Sequence, residues 1–394
     1  LRFTAKSARR WSAARVSNTA LGAISFLALE AIGAAVTLMY GFNSAVSAIM
    51  VVSAIIFLTA IPISYYAARY GVDIDLLSRG AGFGYIGSTI TSLIYASFTF
   101  IFFALESAIM ASAMEILFGL PLAAGYLLSA LIVIPLVTHG ITFISRFQLW
   151  SQPLWLVLQL LPFIFILWHE WSAAEQWINY PGVGATSTIP GGNFENAPEG
   201  GGKFNLIYFG AASAVVFSLI AQIGEQVDFL RFLPEPEPRH KLRWWLALIG
   251  GGPGWILVGA LKILAGSFLA VLAVQHGLSV LDAADPTQMY RVAFGYISDS
   301  PMAVLALTGI FVILCQVKIN VTNAYAGSIA WSNFFSRLTH SHPGRVVWLV
   351  FNVMIALLLM VLGVYQSLEH ILGIYSNVAV AWVGALVADL IINK

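Results

Sequence analysis

The sequence predicts an all-α membrane protein built from two inverted repeats of five helices each. Of its 394 residues, 59% are hydrophobic and only 9% are charged, whereas soluble domains are about 25% charged. Apolar runs long enough to cross a bilayer occur ten times, five on each side of a Gly- and Pro-rich segment. Polar residues interrupt the first and the sixth of these runs, which is typical of broken helices in such repeats.

Each apolar run, bounded by Gly, Pro or charge, is taken as one span, because about 20 mainly apolar residues cross the hydrocarbon core. Spans 3, 7 and 8 exceed that length, so we expect them to tilt or to project beyond the lipid. In order, the ten predicted spans are approximately 17–40, 44–68, 84–118, 121–139, 146–170, 205–230, 242–275, 301–335, 346–366 and 368–391.

The basic residues predict the orientation of these spans. Fifteen of the nineteen lysines and arginines fall before span 1, after span 10 or in connections on that same side. The positive-inside rule therefore places the N-terminus in the cytoplasm of a multi-pass plasma-membrane protein, the inner membrane in a bacterium. The fifteen are Arg2, Lys6, Arg9, Arg10, Arg15, Arg69, Arg79, Arg146, Arg231, Arg239, Lys241, Arg243, Arg337, Arg345 and Lys394.

The segment 171–204 divides the chain into halves and is expected to be an irregular external loop, either a mobile cover or a connector. The first set of five spans begins on the inside and the second set begins on the outside. This arrangement indicates inverted repeats, roughly 17–170 and 205–391. The repeat is inferred from topology, within one permease-like domain over 1–394. We further expect this chain to be an excerpt that lacks N- and C-terminal parts of a longer protein.

The clearest charged residues inside predicted spans are Glu30, Glu106, Lys262 and Lys318. Charges in hydrocarbon are costly and usually face a cavity or one another. Two acids and two bases permit pairing, and Lys262 can equally snorkel or pair within the bundle. Because Glu106 and Lys318 lie well inside their spans, we predict both as site residues.

The interruptions of spans 1 and 6 predict a binding site near the middle of the membrane. They are LGAISF at 21–26 and the polar stretch 222–228, which includes Gln222. Half-helix ends at matching places in two repeats offer free N–H and C=O groups to a ligand. Glu225, Asp228 and Arg231 are equally compatible with capping and local ion pairs.

No enzyme chemistry is predicted. A single cysteine, Cys315, excludes an intrachain disulfide and a Cys-rich metal site. The GGGPG at 250–254 lacks the following Gly-Lys-Ser/Thr of a phosphate loop. We therefore expect no catalytic residue, no cofactor, no metal and no nucleic-acid partner; the expected partners are the lipid bilayer and a small-molecule ligand.

Four stretches in the right order resemble the nucleobase–cation symporter family of cytosine, purine and hydantoin permeases. They are YGVDIDLLSRGAGFG (70–84), EQVDFLRF (225–232), NVTNAYAGSIAWSN (320–333) and ALVADLII (385–392). The resemblance covers nearly the whole chain, although family members usually have twelve spans. It implies an APC-superfamily type fold, with substrate between broken helices 1 and 6 and the long helices 3 and 8.

The resemblance also implies site residues, since the family sandwiches a flat heterocycle between aromatic rings and binds its edge through amides or hydroxyls. Glu106 departs from the family's neutral amide: ionised, it favours a donor-rich ring edge or a cation, and protonated, it can serve in proton coupling. Gapless counting, together with the polar residues of span 6, gives Phe26, Thr99, Phe102, Glu106, Phe217, Gln222, Asn320 and Asn323 as predicted substrate-binding residues.

A second departure concerns the sodium ion that the family often holds between helices 1 and 8. The matching helix 8 positions fall on Lys318 and Ile319, neither of which ligates sodium. We expect the lysine ammonium to take the ion's place and to donate to span 1 carbonyls. Sodium is therefore not expected at this site.

Three functions remain open at this point. The first is a secondary transporter of a purine, pyrimidine or related heterocycle, driven by protons or by exchange. The second is a transporter-like ligand-sensing domain of a larger signalling protein, such as a sensor histidine kinase, with a C-terminal signalling domain. The third is a permease for an amino acid or amine on the same fold, which Glu106 favours and the aromatic residues disfavour.

Overall fold

The computed structural model describes residues 3–183, 203–340 and 343–393. Within these ranges all regular structure is helical, apart from an isolated antiparallel bridge between Phe3 and Val72. This is expected for spans in hydrocarbon, because a helix satisfies its backbone N–H and C=O groups within one segment.

The helices of the described residues match the ten predicted spans. The bent pair Ala13–Ser25 and Ala28–Tyr40, with an angle of 48° between its halves, is span 1. The shorter apolar helices Leu122–Thr138 and Arg345–Val361 are spans 4 and 9. Seven segments are long and apolar enough by themselves to cross a membrane: Phe42–Tyr70, Ile74–Phe118, Ile141–His169, Leu206–Leu230, Lys241–Gln275, Pro301–Leu338 and Leu368–Ile392.

Several of these spans contain internal breaks. Span 3 consists of Ile74–Ser78, a π-helical turn at Arg79–Phe83, and the helix Gly84–Phe118. Span 7 consists of Lys241–Gly251 and Trp255–Gln275, separated at the predicted GGGPG stretch. Short helices outside the spans are Lys6–Ala8, Ser172–Ile178, Pro238–His240, Val280–Ala283 and Pro286–Gly295. Of the predicted loop 171–204, residues 184–202 lie outside the described part.

Spans 1 and 6 are both broken, as predicted, but one break lies elsewhere. In span 1 the helix tightens to a 3-10 turn at Ala23–Ser25, and Phe26 is extended (φ −63°, ψ 140°). In span 6 the 3-10 segment is Ser218–Gln222, and Ile223–Leu230 is a regular helix. The predicted position of this second break, 222–228, is therefore wrong by about one turn. Of its polar residues, Gln222 ends the 3-10 segment, and Glu225, Gln226 and Asp228 lie after the break on continuous helix.

The second half of span 1 packs directly against span 7 at glycines. A Cβ on Gly33 would lie 1.8 Å from the carbonyl oxygen of Ile263, and one on Gly266 would lie 2.1 Å from that of Glu30. Small residues allow helix backbones in membranes to approach this closely. The contact brings Glu30 of span 1 beside Lys262 of span 7, which decides how these buried charges are satisfied.

We expect Gly266→Ala to destabilise the protein, because its new methyl group would force spans 1 and 7 apart; overpacking of this kind costs roughly 1–3 kcal/mol. The measurement is the apparent Tm of the purified protein in detergent. Gly384→Ala is the matched control, since no atom lies within 4 Å of its added Cβ. Equal Tm values for the two variants would contradict the close contact.

Candidate functional site

The break in span 1 is joined by hydrogen bonds to spans 3 and 8. The Ser25 hydroxyl donates to the carbonyl oxygen of Cys315 in span 8 (3.2 Å). On the other side, the backbone N–H of Leu27 donates to the carboxylate of Glu106 in span 3 (3.2 Å). All these residues are fully buried. The break in span 1 is thus held between spans 3 and 8.

Glu106 of span 3 caps the N-terminus of the second half-helix of span 1. Its Oε1 accepts from the backbone N–H of Ala28 (3.2 Å), and its Oε2 accepts from Leu27 and, at 3.3 Å, from Ala28. N–H groups at a helix start have no partner within the helix, and the positive end of the helix dipole favours an anion there. The remaining lone pairs of the carboxylate can still accept hydrogen bonds from a ligand.

Two aromatic rings lie beside this carboxylate. Phe26, in the extended part of the break, meets Phe102 edge-to-face, with ring centroids 6.2 Å apart and planes at 88°. Phe102 also packs against Phe98 at 4.5 Å between centroids. Because Phe102 precedes Glu106 by four residues on the same helix, ring and carboxylate share one face of span 3.

Span 8 adds a line of amides to the same region. The Asn320 side-chain amide donates to the Ser107 hydroxyl of span 3 (2.9 Å), and the Asn323 amide donates to Asn320 Oδ1 at 3.5 Å. Asn323 Oδ1 is buried and has no donor among the residues that the structure describes. A buried acceptor without a donor is costly, so this oxygen is available to a ligand. Ser107 was not predicted as a site residue from the sequence. Its position directly after Glu106 was the feature that could have indicated it.

Of the other three predicted substrate-binding residues, Thr99 and Gln222 make their hydrogen bonds with other residues, and Phe217 lies beside the break in span 6. The Thr99 hydroxyl donates to Ala96 O (2.7 Å) and to Asn352 Oδ1 of span 9 (3.3 Å). The Gln222 amide donates to Glu225 Oε2 on its own span (3.0 Å). Phe217 is half-buried at the last position of its half-helix, directly before the break in span 6.

Lys318 is fully buried and makes its contacts with span 5. Its ammonium donates to Gln148 O (3.2 Å), Ser151 Oγ (2.9 Å) and Gln152 Oε1 (3.2 Å). These three acceptors use all three ammonium donors. The expected donation to span 1 carbonyls is therefore wrong, because the side chain leaves span 8 toward span 5. The ammonium nevertheless stays near the break, since its acceptor Gln152 Oε1 would lie 3.4 Å from a Cβ on Gly22.

Glu30 and Lys262, the other two charged residues predicted to lie deep within spans, form a buried ion pair. Lys262 Nζ lies 2.6 Å from Glu30 Oε1 and also donates to Gln159 Oε1 of span 5 (3.0 Å). The Tyr290 hydroxyl, from the helix Pro286–Gly295, donates to Glu30 Oε1 at 3.2 Å. The sequence was compatible with an ion pair between Glu30 and Lys262. The polar Gln159 in an otherwise apolar span could have indicated that span 5 contributes a partner. Nothing in the sequence indicated Tyr290, which lies outside every predicted span.

Comparison with solved structures finds the same fold in known transporters. Mhp1, a nucleobase-cation-symport-1 family transporter, was solved in a closed conformation with bromovinylhydantoin bound. It has 16% sequence identity and a TM-score of 0.71 over 100% of this chain and 80% of that chain. The inward-facing form of Mhp1 has 18% sequence identity and a TM-score of 0.69, over 99% of this chain and 78% of that chain. A Na⁺-coupled sialic acid symporter has 14% sequence identity and a TM-score of 0.59, over 98% of this chain and 80% of that chain.

These likenesses show the fold. No family model matches the chain, and no curated protein sequence matches it. The predicted fold class, an inverted-repeat transporter fold of the APC type, is confirmed by the match to Mhp1. The neighbours reported above are transporters, not enzymes.

Replacing the capping carboxylate is expected to destabilise the protein. In Glu106→Gln the amide keeps one acceptor but loses the charge that the helix N-terminus stabilises, at a cost of about 1–3 kcal/mol. The apparent Tm measures the effect. Glu115→Gln is the control, because this residue lies on the same span but is exposed, where substitutions usually change stability by less than about 0.5 kcal/mol. A Glu106→Gln variant as stable as this control would contradict the capping role.

Proposed function

We propose that this protein is a secondary transporter that carries a small flat heterocycle, of nucleobase or related type, by alternating access. The observation that carries the proposal is the group at the break in span 1. There, two aromatic rings, Phe26 and Phe102, lie beside one carboxylate and the amides of span 8. The positive-inside distribution of basic residues supports a cytoplasmic N-terminus in a plasma membrane.

The chemistry of this group suits a planar ring with polar edges. Aromatic side chains stack on or meet a flat ring favourably, and a few placed polar groups then fix its orientation. Glu106 and Asn323 Oδ1 supply acceptors, and the Asn320 amide supplies a donor that now bonds to Ser107. Mhp1, whose fold this chain shares, was solved with a hydantoin bound, and hydantoins carry N–H and C=O groups around a flat ring.

The excess of acceptors also favours a ring with several N–H donors. An ionised carboxylate only accepts hydrogen bonds, and its charge disfavours an anionic ligand in a buried site. The same features leave an amine as the alternative substrate class. An aliphatic amine has no flat face to place between Phe26 and Phe102, so we prefer the heterocycle.

We further propose that transport does not depend on sodium at the usual site between helices 1 and 8. In support, the Lys318 amino group lies in that region, where it donates to three acceptors of span 5. A second cation close to a buried ammonium is repelled strongly, because charges interact over short distances in a medium of low dielectric constant. We propose that transport is driven by protons or by substrate exchange instead.

A ligand-sensing role remains the alternative from another class. Uptake of a radiolabelled ligand into proteoliposomes separates the two functions. Accumulation that empty liposomes do not show supports transport, whereas tight binding without accumulation supports a sensor.

A screen of nucleobases and hydantoins by thermal shift is expected to find a stabilising ligand whose affinity depends on Phe102. Phe102→Ala removes a stacking surface worth about 1–3 kcal/mol per ring, so the Kd should rise roughly tenfold or more. Phe103→Ala is the matched control, since this neighbour is equally buried, whereas the rings of Phe26 and Phe98 meet Phe102. A similar loss of affinity in both variants would contradict the proposed position of the ligand.

Ligand affinity in the wild-type protein is expected to be the same in sodium chloride and in choline chloride, within about twofold, because Lys318 supplies the positive charge that a bound ion otherwise provides. Isothermal titration with the stabilising ligand measures both values. Affinity that rises steeply with sodium in the wild type and loses this response in Lys318→Ser would overturn the proposal.

A further inference from the structure

Gln316 of span 8 is a fully buried amide whose polar atoms are left without hydrogen bonds. The residue is 0% exposed, and neither its Nε2 nor its Oε1 has a hydrogen-bond partner among the described residues. Most buried polar atoms in proteins are paired, because an unpaired one loses its bonds to water and gains none in exchange. Another group is therefore needed to complete the hydrogen bonds of this amide.

Helical spacing places Gln316 on the side of span 8 that meets span 3. Gln316, Asn320 and Asn323 follow one another at intervals of four and three residues in a continuous helix, so they share one face. The Asn320 amide of this face donates to the Ser107 hydroxyl of span 3 (2.9 Å). Lys318 lies about 200° around the helix from Gln316 and bonds to span 5. Gln316 thus faces span 3 and not span 5.

The break in span 1 lies directly beside this amide. The carbonyl oxygen of the preceding residue, Cys315, accepts from the Ser25 hydroxyl at the break (3.2 Å). The Gln316 amide itself lies beside the Glu106 carboxylate of span 3 but forms no hydrogen bond with it in this arrangement. Because Glu106 also caps the half-helix that follows the break, Gln316 lies next to the carboxylate of the candidate ligand site.

A role in holding helices together does not account for this amide. Gln159 of span 5 shows that role: its Oε1 accepts from Lys262 Nζ (3.0 Å), and its Nε2 donates to the Tyr290 hydroxyl (2.6 Å). Both polar ends of Gln159 therefore connect span 5 to other helices. Gln316 forms no such hydrogen bond to a neighbouring helix of the described residues, so its amide is available to a bound molecule.

We propose that Gln316 is a specificity-determining residue of the ligand site; the inference rests on the proposed function and narrows its substrate class. A primary amide offers N–H donors and a carbonyl acceptor side by side, and an ionised carboxylate offers acceptors alone. A ring edge satisfies both groups when it carries, in this order, a carbonyl, a ring N–H and a further N–H donor. The carbonyl accepts from Gln316 Nε2, the ring N–H donates to Gln316 Oε1, and the outer donor bonds to Glu106.

This order of groups separates purines of nearly equal size. Guanine carries a carbonyl, a ring N–H and an amino group in a row, and so it satisfies both side chains. Hypoxanthine lacks the amino group, and xanthine has a second carbonyl there, whose oxygen would face the carboxylate. Adenine can pair with the amide but then offers no donor to Glu106. A site built to bond a polar group rejects analogues that lack it, because its own buried polar atoms then stay unpaired.

The first test compares these purines on the wild-type protein, by competition against radiolabelled guanine in detergent. We expect guanine to bind most tightly and hypoxanthine to bind roughly tenfold or more weakly, since one hydrogen bond to a charged group is lost. Xanthine and adenine should bind more weakly still. Failure of guanine to bind, or equal affinity for any of the other three purines, would overturn the proposal.

The second test replaces the residue itself by Gln316→Met, which keeps the size of the side chain without its polar atoms. The apparent Tm without ligand should equal or exceed that of the wild type, because an unpaired buried amide is removed. The Kd for guanine should nevertheless rise roughly tenfold or more, and the preference for guanine over adenine should shrink. An unchanged Kd for guanine would contradict the role in specificity.

Gln159→Met is the matched control, because it removes a buried glutamine whose polar atoms are paired. Its Tm should fall while its Kd for guanine stays at the wild-type value, the reverse of the pattern expected for Gln316→Met. If Gln316→Met does not fold, the order of affinities on the wild type decides alone. If no nucleobase or hydantoin shifts the wild-type Tm, the proposed function fails as well. If one binds equally well to the wild type and to Gln316→Met, only the present inference fails.

Discussion

The carboxylate of Glu106 at the start of the second half-helix of span 1 is the interaction on which the site depends. A helix broken within hydrocarbon exposes backbone N–H groups that lipid cannot satisfy. Glu106 supplies acceptors for two of these groups, at Leu27 and Ala28. The bond fixes span 1 against span 3, and this alignment brings Phe26 to Phe102. Removing the carboxylate would loosen the break and the aromatic pair together.

Buried charges on either side of the break connect the surrounding spans. The pair Lys262–Glu30 joins spans 7 and 1, and Gln159 extends the contact to span 5. Lys318 joins span 8 to span 5 through neutral acceptors, among them Ser151 Oγ. Breaking a buried pair by removing one partner is strongly destabilising, because it leaves a charge uncompensated. These lysines therefore stabilise one arrangement of helices, and any motion between the repeats must keep or exchange their partners.

Much of the fold could be predicted from the sequence, because hydropathy and length largely determine a span. Span 3 was predicted at 84–118, and its long helix is Gly84–Phe118; the break in span 1 was predicted at its observed place. The contacts of side chains were harder to predict. Lys318 bonds to span 5 rather than span 1, and Thr99 bonds to span 9. Spacing along one helix gives the relative directions of its side chains, but the rotation of the helix against its neighbours depends on packing across the whole bundle.

A structure of the protein with its most stabilising heterocycle bound would decide whether the break in span 1 is the ligand site. We expect the flat ring to lie against Phe26 and Phe102, with its polar edge within hydrogen-bond distance of Glu106, Asn320 or Asn323. In that complex the direct edge-to-face contact of the two phenylalanines should be lost or altered. A ligand bound elsewhere, with this contact unchanged, would contradict the proposed site.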